Sequence, residues 1–129
     1  MINFDDYKKF VDAVTSDASA DSDAFMTRID ELREQSDIQR LLTAAVGISA
    51  EGGEFMEIVK KIIFQGKPYN DDNVEHLKIE LGDVLWYVAQ ACIALDVTLD
   101  ELLQMNYKKL SKRYPEGAFD SYFSGNRVS

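Results

Sequence analysis

Leu41-Leu-Thr-Ala-Ala-Val-Gly-Ile-Ser-Ala-Glu-Gly-Gly-Glu-Phe-Met-Glu-Ile-Val-Lys-Lys-Ile-Ile-Phe64 is the stretch whose reading decides the fold. Its apolar residues recur at three- and four-residue spacing over more than twenty positions, which is the period of a helix and too long for a strand. Projected at about 100° per residue with Leu41 at zero, Ile48, Phe55, Val59, Ile62 and Ile63 fall within about 60° of zero and mark the expected core stripe. Glu51 lands at about 280°, inside the apolar arc because Ile58 lies at about 260°, and Glu54 lands at about 220°, on its edge. Asp37 is placed to cap this helix, and Gly66-Lys-Pro-Tyr-Asn70 stops it near Phe64.

The next helix, from about Asn73 to Leu95, repeats the arrangement. With Leu77 at zero, Leu81, Val84, Val88, Ala91, Cys92 and Leu95 form its stripe, Glu80 falls at about 300° and Asp83 at about 240°. Each helix thus carries an inner carboxylate and an outer one three residues on. Carboxylates facing a core are costly unless neutralised, and four converging acids repel one another. A hard divalent cation removes both costs, because it prefers oxygen ligands and Mg²⁺ commonly shares its shell with substrate phosphates. One Glu-x-x-Glu pair among 23 acids means little; two pairs with matching radial placement point to a site. Gly52, Gly53 and Gly82 lie within the two motifs, each at a cost of about 1 kcal/mol against alanine, which implies close contact or ligand access there.

Working outward, Phe4 to Val14 reads as a short amphipathic helix, Thr15 to Asp23 as a solvated loop, and Ala24 to Gln35 as a second helix. The Asp17, Ser19, Asp21, Asp23 alternation is not a calcium loop: Ser22 replaces the turn glycine, and Arg28 stands where the bidentate Glu belongs. Thr98-Leu-Asp-Glu101 matches a capping box and opens a fifth helix that ends near Tyr114-Pro115. Glu116 to Ser129 reads as a tail anchored by Phe119, Tyr122 and Phe123. No strand pattern occurs. The expectation is one all-α domain over residues 1–129, a bundle of four or five helices with a real core.

Composition narrows the partners. The net charge of −9 leaves no basic footprint for nucleic acid, although a small polyanion can bind through bridging cations. The single cysteine, Cys92, excludes an internal disulfide framework, and its apolar neighbours predict a buried thiol. No apolar run reaches the ~18 residues of a membrane span, and Met1 to Lys9 has no apolar leader core, so no membrane contact and a cytoplasmic location are expected.

The fifth helix adds cations. With Leu99 at zero, Leu102, Leu103 and Leu110 define its stripe, Asn106 falls within it at about 340°, and Lys109 and Arg113 follow at about 280° and 320°. An Asn in an apolar stripe needs partners, and two adjacent cations in an acidic protein form a candidate phosphate clamp. Lys61, at about 200° on the Glu54 side of its helix, is a further candidate. The helix that carries Glu80 and Asp83 also has a second apolar row of Ile79, Trp86 and Ile93, with Gly82 and Ala89 beside it. A helix apolar on two faces must be covered on both, so a homo-oligomer is expected, with this helix at its centre.

These motifs resemble the MazG family of all-α NTP pyrophosphohydrolases, relatives of dimeric dUTPases and dCTP pyrophosphatases. Glu51-Gly-Gly-Glu54, a 25-residue spacer and Glu80-Leu-Gly-Asp83 are similar to the family's Glu-x-x-Glu and Glu-x-x-Asp pattern. Leu41 to Gly47, Lys60-Lys61, Val84-Leu-Trp-Tyr87 and Asn106-Tyr-Lys-Lys-Leu-Ser-Lys-Arg-Tyr-Pro-Glu-Gly117 extend the likeness over residues 38–120. The resemblance implies hydrolysis of a nucleoside or deoxynucleoside triphosphate between the α- and β-phosphates, for nucleotide pool control or house-cleaning. It implies that Glu51, Glu54, Glu80 and Asp83 ligate Mg²⁺, with Mn²⁺ as a substitute, and that the protein is a dimer or a dimer of dimers. Glu54, at the edge of its arc where water enters, is the favoured general base.

Two other readings compete. A ferritin-like di-metal bundle needs two Glu-x-x-His units, and the single histidine, His76, stands four residues before Glu80, as a surface residue or a supporting contact. A non-catalytic helical interaction module would keep the fold and need no divalent ion.

Overall fold

The computed structural model describes residues 1–119. It contains α1 (Phe4–Ala13), α2 (Asp17–Ala20), α3 (Ser22–Arg33), α4 (Ile38–Phe64), α5 (Asp71–Leu95) and α6 (Leu99–Arg113), with no strand among the described residues. The all-α class and the five long helices agree with the sequence. The four-residue α2 corrects the expected loop; its length is too short for periodicity to register. The proposed anchoring by Tyr122 and Phe123 falls outside the described residues, while Phe119 lies against Tyr114 with ring centroids 6.1 Å apart.

Local chemistry explains the boundaries. Thr98 accepts from the Glu101 amide (3.1 Å), as the capping box requires, and Asn70 accepts from the Asn73 amide (3.0 Å) to start α5. Asp21 caps α3 through the Ala24 amide (2.9 Å). Gly66, at φ 71°, takes the left-handed position after α4, and the Lys67 amide closes back on the Lys61 carbonyl (3.1 Å). Asp37 differs from expectation. It precedes α4 without a side-chain cap and instead accepts from Arg40 Nε (3.1 Å), whose guanidinium also donates to Gln90 on α5 (2.8 Å).

The α4–α5 seam is the centre of the chain. The two helices run antiparallel: Arg40 meets Gln90, Gly47 meets the Tyr87 ring, and Glu51 meets Glu80. A Cβ at Gly47 would overlap the Tyr87 ring, so glycine sets the closeness of this crossing. The seam does not follow the predicted stripe. Its buried α4 residues are Ala44, Gly47 and Ile58, at about 240–300° in the projection, while Ile48 and Ile63 on the predicted stripe are exposed. The contact face is therefore centred on Glu51.

The expected sizeable core is absent from the single chain. Among the described residues only Ala44 and Ile58 are buried apolar side chains, and Cys92 is half-buried rather than buried. Among the described residues α3 makes a further, minor contact with α4, α1 makes no substantial contact with another helix, and α6 leaves α5 at 94° with its Leu99, Leu103 and Leu110 exposed. Among the described residues, no single helix is long and apolar enough to cross a membrane.

Candidate metal centre

Helical spacing delivers three carboxylates to one point on the seam. Glu80 and Asp83 lie one turn apart on α5, and Glu51 faces them from α4; oxygen atoms of all three lie within 4.8 Å of one another. Glu51 and Glu80 are half-buried and Asp83 is exposed, which matches their inner and outer placement. Glu54 is exposed and stands outside this group of three, one turn along α4. Its charge still reaches Glu51.

The electrostatics follow from crowding. A hydrogen bond with Glu80 raises the Glu51 pKa most; partial desolvation and repulsion from Glu80, Asp83 and Glu54 raise it further. Two touching carboxyl groups must share a proton or a cation, since both cannot ionise cheaply at this distance. The donor set fits a hard divalent ion: oxygen only, several negative charges, and partial access to water. His76 supports Glu80 from the preceding turn, with Nε2 3.3 Å from its Oε1, and is itself half exposed.

Gly52, Gly53 and Gly82 do not serve close contact within the chain, because a Cβ on any of them meets nothing. Of the two explanations read from the sequence, access to the acids is the one left inside one copy.

The candidate phosphate ligands are not gathered at this point. Lys61 and Lys60 both pair with Glu57, at 3.8 and 3.3 Å. Such exposed pairs contribute roughly 0–1 kcal/mol and release easily. Asn106 is exposed rather than set within a covered stripe; it lines a groove on α6 with Tyr107, Leu110, Tyr114 and Phe119. Lys109 is exposed, and Arg113 is half-buried with its Nε lacking a partner among the described residues. No α6 residue lines the recess beside the carboxylates.

That recess, about 370 Å³, is lined by Glu51, Asp83, Trp86 and Tyr87. Sequence reasoning missed Tyr87, although its position four residues after Asp83 puts it at about 280°, on the carboxylate arc. It also assigned Trp86 only to the outer apolar row.

Comparison with known proteins follows the same residues. The family model described as the MazG nucleotide pyrophosphohydrolase domain matches residues 39–118. The Gene 37 protein of Mycobacterium phage L5 is 40% identical over 81 residues, which cover 62% of this chain and 71% of that protein. No solved structure matches the chain.

Proposed function

The chain belongs to the family of MazG nucleotide pyrophosphohydrolase domains, hydrolases acting on nucleotide pyrophosphate bonds, and from that premise we propose that it converts nucleoside or deoxynucleoside triphosphates to the monophosphate and pyrophosphate with Mg²⁺. The observation that carries this reading is the convergence of Glu51, Glu80 and Asp83 on one point of the seam. These three, with Glu54 from the next turn, are the side chains that would hold the ion. Bound there, it would supply neutralisation of the triphosphate's charge. Glu54, exposed and one turn beyond the tight group, would be the general base for the attacking water. His76 holds Glu80 in place. Asn106, Lys109 and Arg113 bind phosphate once α6 closes on the carboxylates of its own or a second copy, and Lys61 joins them by leaving Glu57.

A homo-oligomer belongs to the same proposal, with cytoplasmic nucleotide pools as its setting. Its support is the uncovered apolar surface on α1, α5 and α6. The decisive experiment is pyrophosphate release by the full chain from a panel of NTPs and dNTPs with Mg²⁺, before and after EDTA. Metal-dependent release from at least one nucleotide is expected. No release from any of them would return the chain to a non-catalytic helical module.

A further inference from the structure

The recess beside the carboxylates has an aromatic wall to which no role has been assigned. Trp86 and Tyr87 meet edge to face, with centroids 4.9 Å apart and an interplanar angle of 83°. In such a corner one ring presents an edge to the other's face, so three of the four ring faces stay free of the pair. Tyr87 is pinned against Gly47. Trp86 is 56% exposed while lining the same recess as Glu51 and Asp83. It follows Asp83 by three residues, which puts it one turn on and about 4.5 Å further along the helix. An indole of this exposure, one helical turn from a cluster suited to metal and phosphate, is placed for a flat apolar group attached to the phosphates.

We propose that Trp86 is the platform for the nucleobase: the base of a nucleotide whose phosphates would be held through a divalent cation at Glu51, Glu80 and Asp83 stacks on its indole, against the corner made with Tyr87. This rests on the function proposed above and adds how the organic end of the substrate is held. The recess lining offers no amide or guanidinium side chain to read a base edge, and the ion would engage its carboxylates. Grip by the ring face alone accepts every base, because each has a π-face. The contact thus separates nucleotides from inorganic polyphosphates more than one base from another.

Trp86 is the only tryptophan, so its emission reports this site directly. The full chain with Mg²⁺ is titrated with α,β-methylene-ATP, which cannot be cleaved at the reacting bond, and separately with tripolyphosphate, which has no base. Saturable quenching by the nucleotide analogue and none by tripolyphosphate is expected. In turnover, Trp86→Leu raises KM at least about tenfold with kcat little changed, as loss of uniform binding does, and Trp86→Phe stays near wild type. Analogue binding by calorimetry without a change in emission overturns the proposal, as does equal quenching by tripolyphosphate. Emission that follows protein concentration and ignores nucleotide overturns it too, and assigns Trp86 to contact between copies. If the Leu variant fails to fold, the wild-type titration alone decides. Pyrophosphate release that persists with silent emission removes only the platform; absence of both binding and release removes the proposed function with it.

Discussion

Glu51 holds a proton more tightly than an ordinary glutamate because Glu80 shares it and three acids crowd it. A divalent cation competes for the same oxygens, so ion and proton exchange there. The sign follows from a folded-state pKa raised above the ordinary value of about 4.5. The stability contribution is complete below that value and is lost as pH rises through the folded-state pKa. The metal-free protein should lose this contribution as pH increases, and Mg²⁺ should raise the melting temperature more at about pH 8 than at about pH 5. Glu51→Gln should flatten the metal-free decline; an unchanged decline in that variant places its origin elsewhere. For chemistry, Glu54→Gln or Asp83→Asn should abolish hydrolysis while circular dichroism stays helical. Asp83→Asn should also raise the metal-free melting temperature by relieving repulsion. Near-wild-type turnover in both variants would remove the metal assignment.

At the level of helices, Gly47 has the sharpest consequence. A methyl group there meets the near side of the Tyr87 ring, which cannot swing away as the tip of a flexible chain would. Gly47→Ala should cost about 1–3 kcal/mol by urea unfolding despite its better helix propensity. A neutral or stabilising result would mean that the α4–α5 crossing is looser than described. The α6 helix gives a second test: Asn106→Ala and Arg113→Ala should each lower kcat/KM by at least about tenfold, or ~1.4 kcal/mol, and unchanged kinetics in both would leave them structural. The helices themselves were legible from period and caps, as Thr98 and Gly66 illustrate. The inner and outer placement of the acids was legible too, because one-turn spacing on a helix has a single geometric meaning. The contact face of α4 was not. Leu41, Ile48, Ile58 and Ile63 spread its apolar residues over a wide arc, and hydropathy weights every apolar position alike, whichever neighbour covers it. The sector that meets α5 therefore could not be separated from the sector left for another surface. Tyr87 escaped notice for a related reason: a tyrosine on an apolar helix reads as core until the glycine opposite it is known.

Much of the surface of the described residues is apolar. On the outer face of α5, Ile79 and Ile93 are 54% and 61% exposed on either side of Trp86. The apolar residues of α1, from Phe4 to Val14, are exposed as well, so α1 does not cover that row within its own chain. Among the described residues only Ala44 and Ile58 are buried apolar side chains, too few to offset the conformational entropy of the helices. A second copy laid over Ile79 and Ile93, with the Trp86 recess left open, supplies the missing cover, and it can also bring α6 cations toward carboxylates they do not reach within one chain. Sedimentation equilibrium at about micromolar protein should therefore give a dimer or a larger closed assembly. Ile93→Glu, which places a charge in the row but outside the recess, should shift the equilibrium toward monomer and lower the melting temperature in parallel. A monomeric, fully helical wild type at that concentration would end the proposal, and a dimer indifferent to the charge would move the interface off this face of α5.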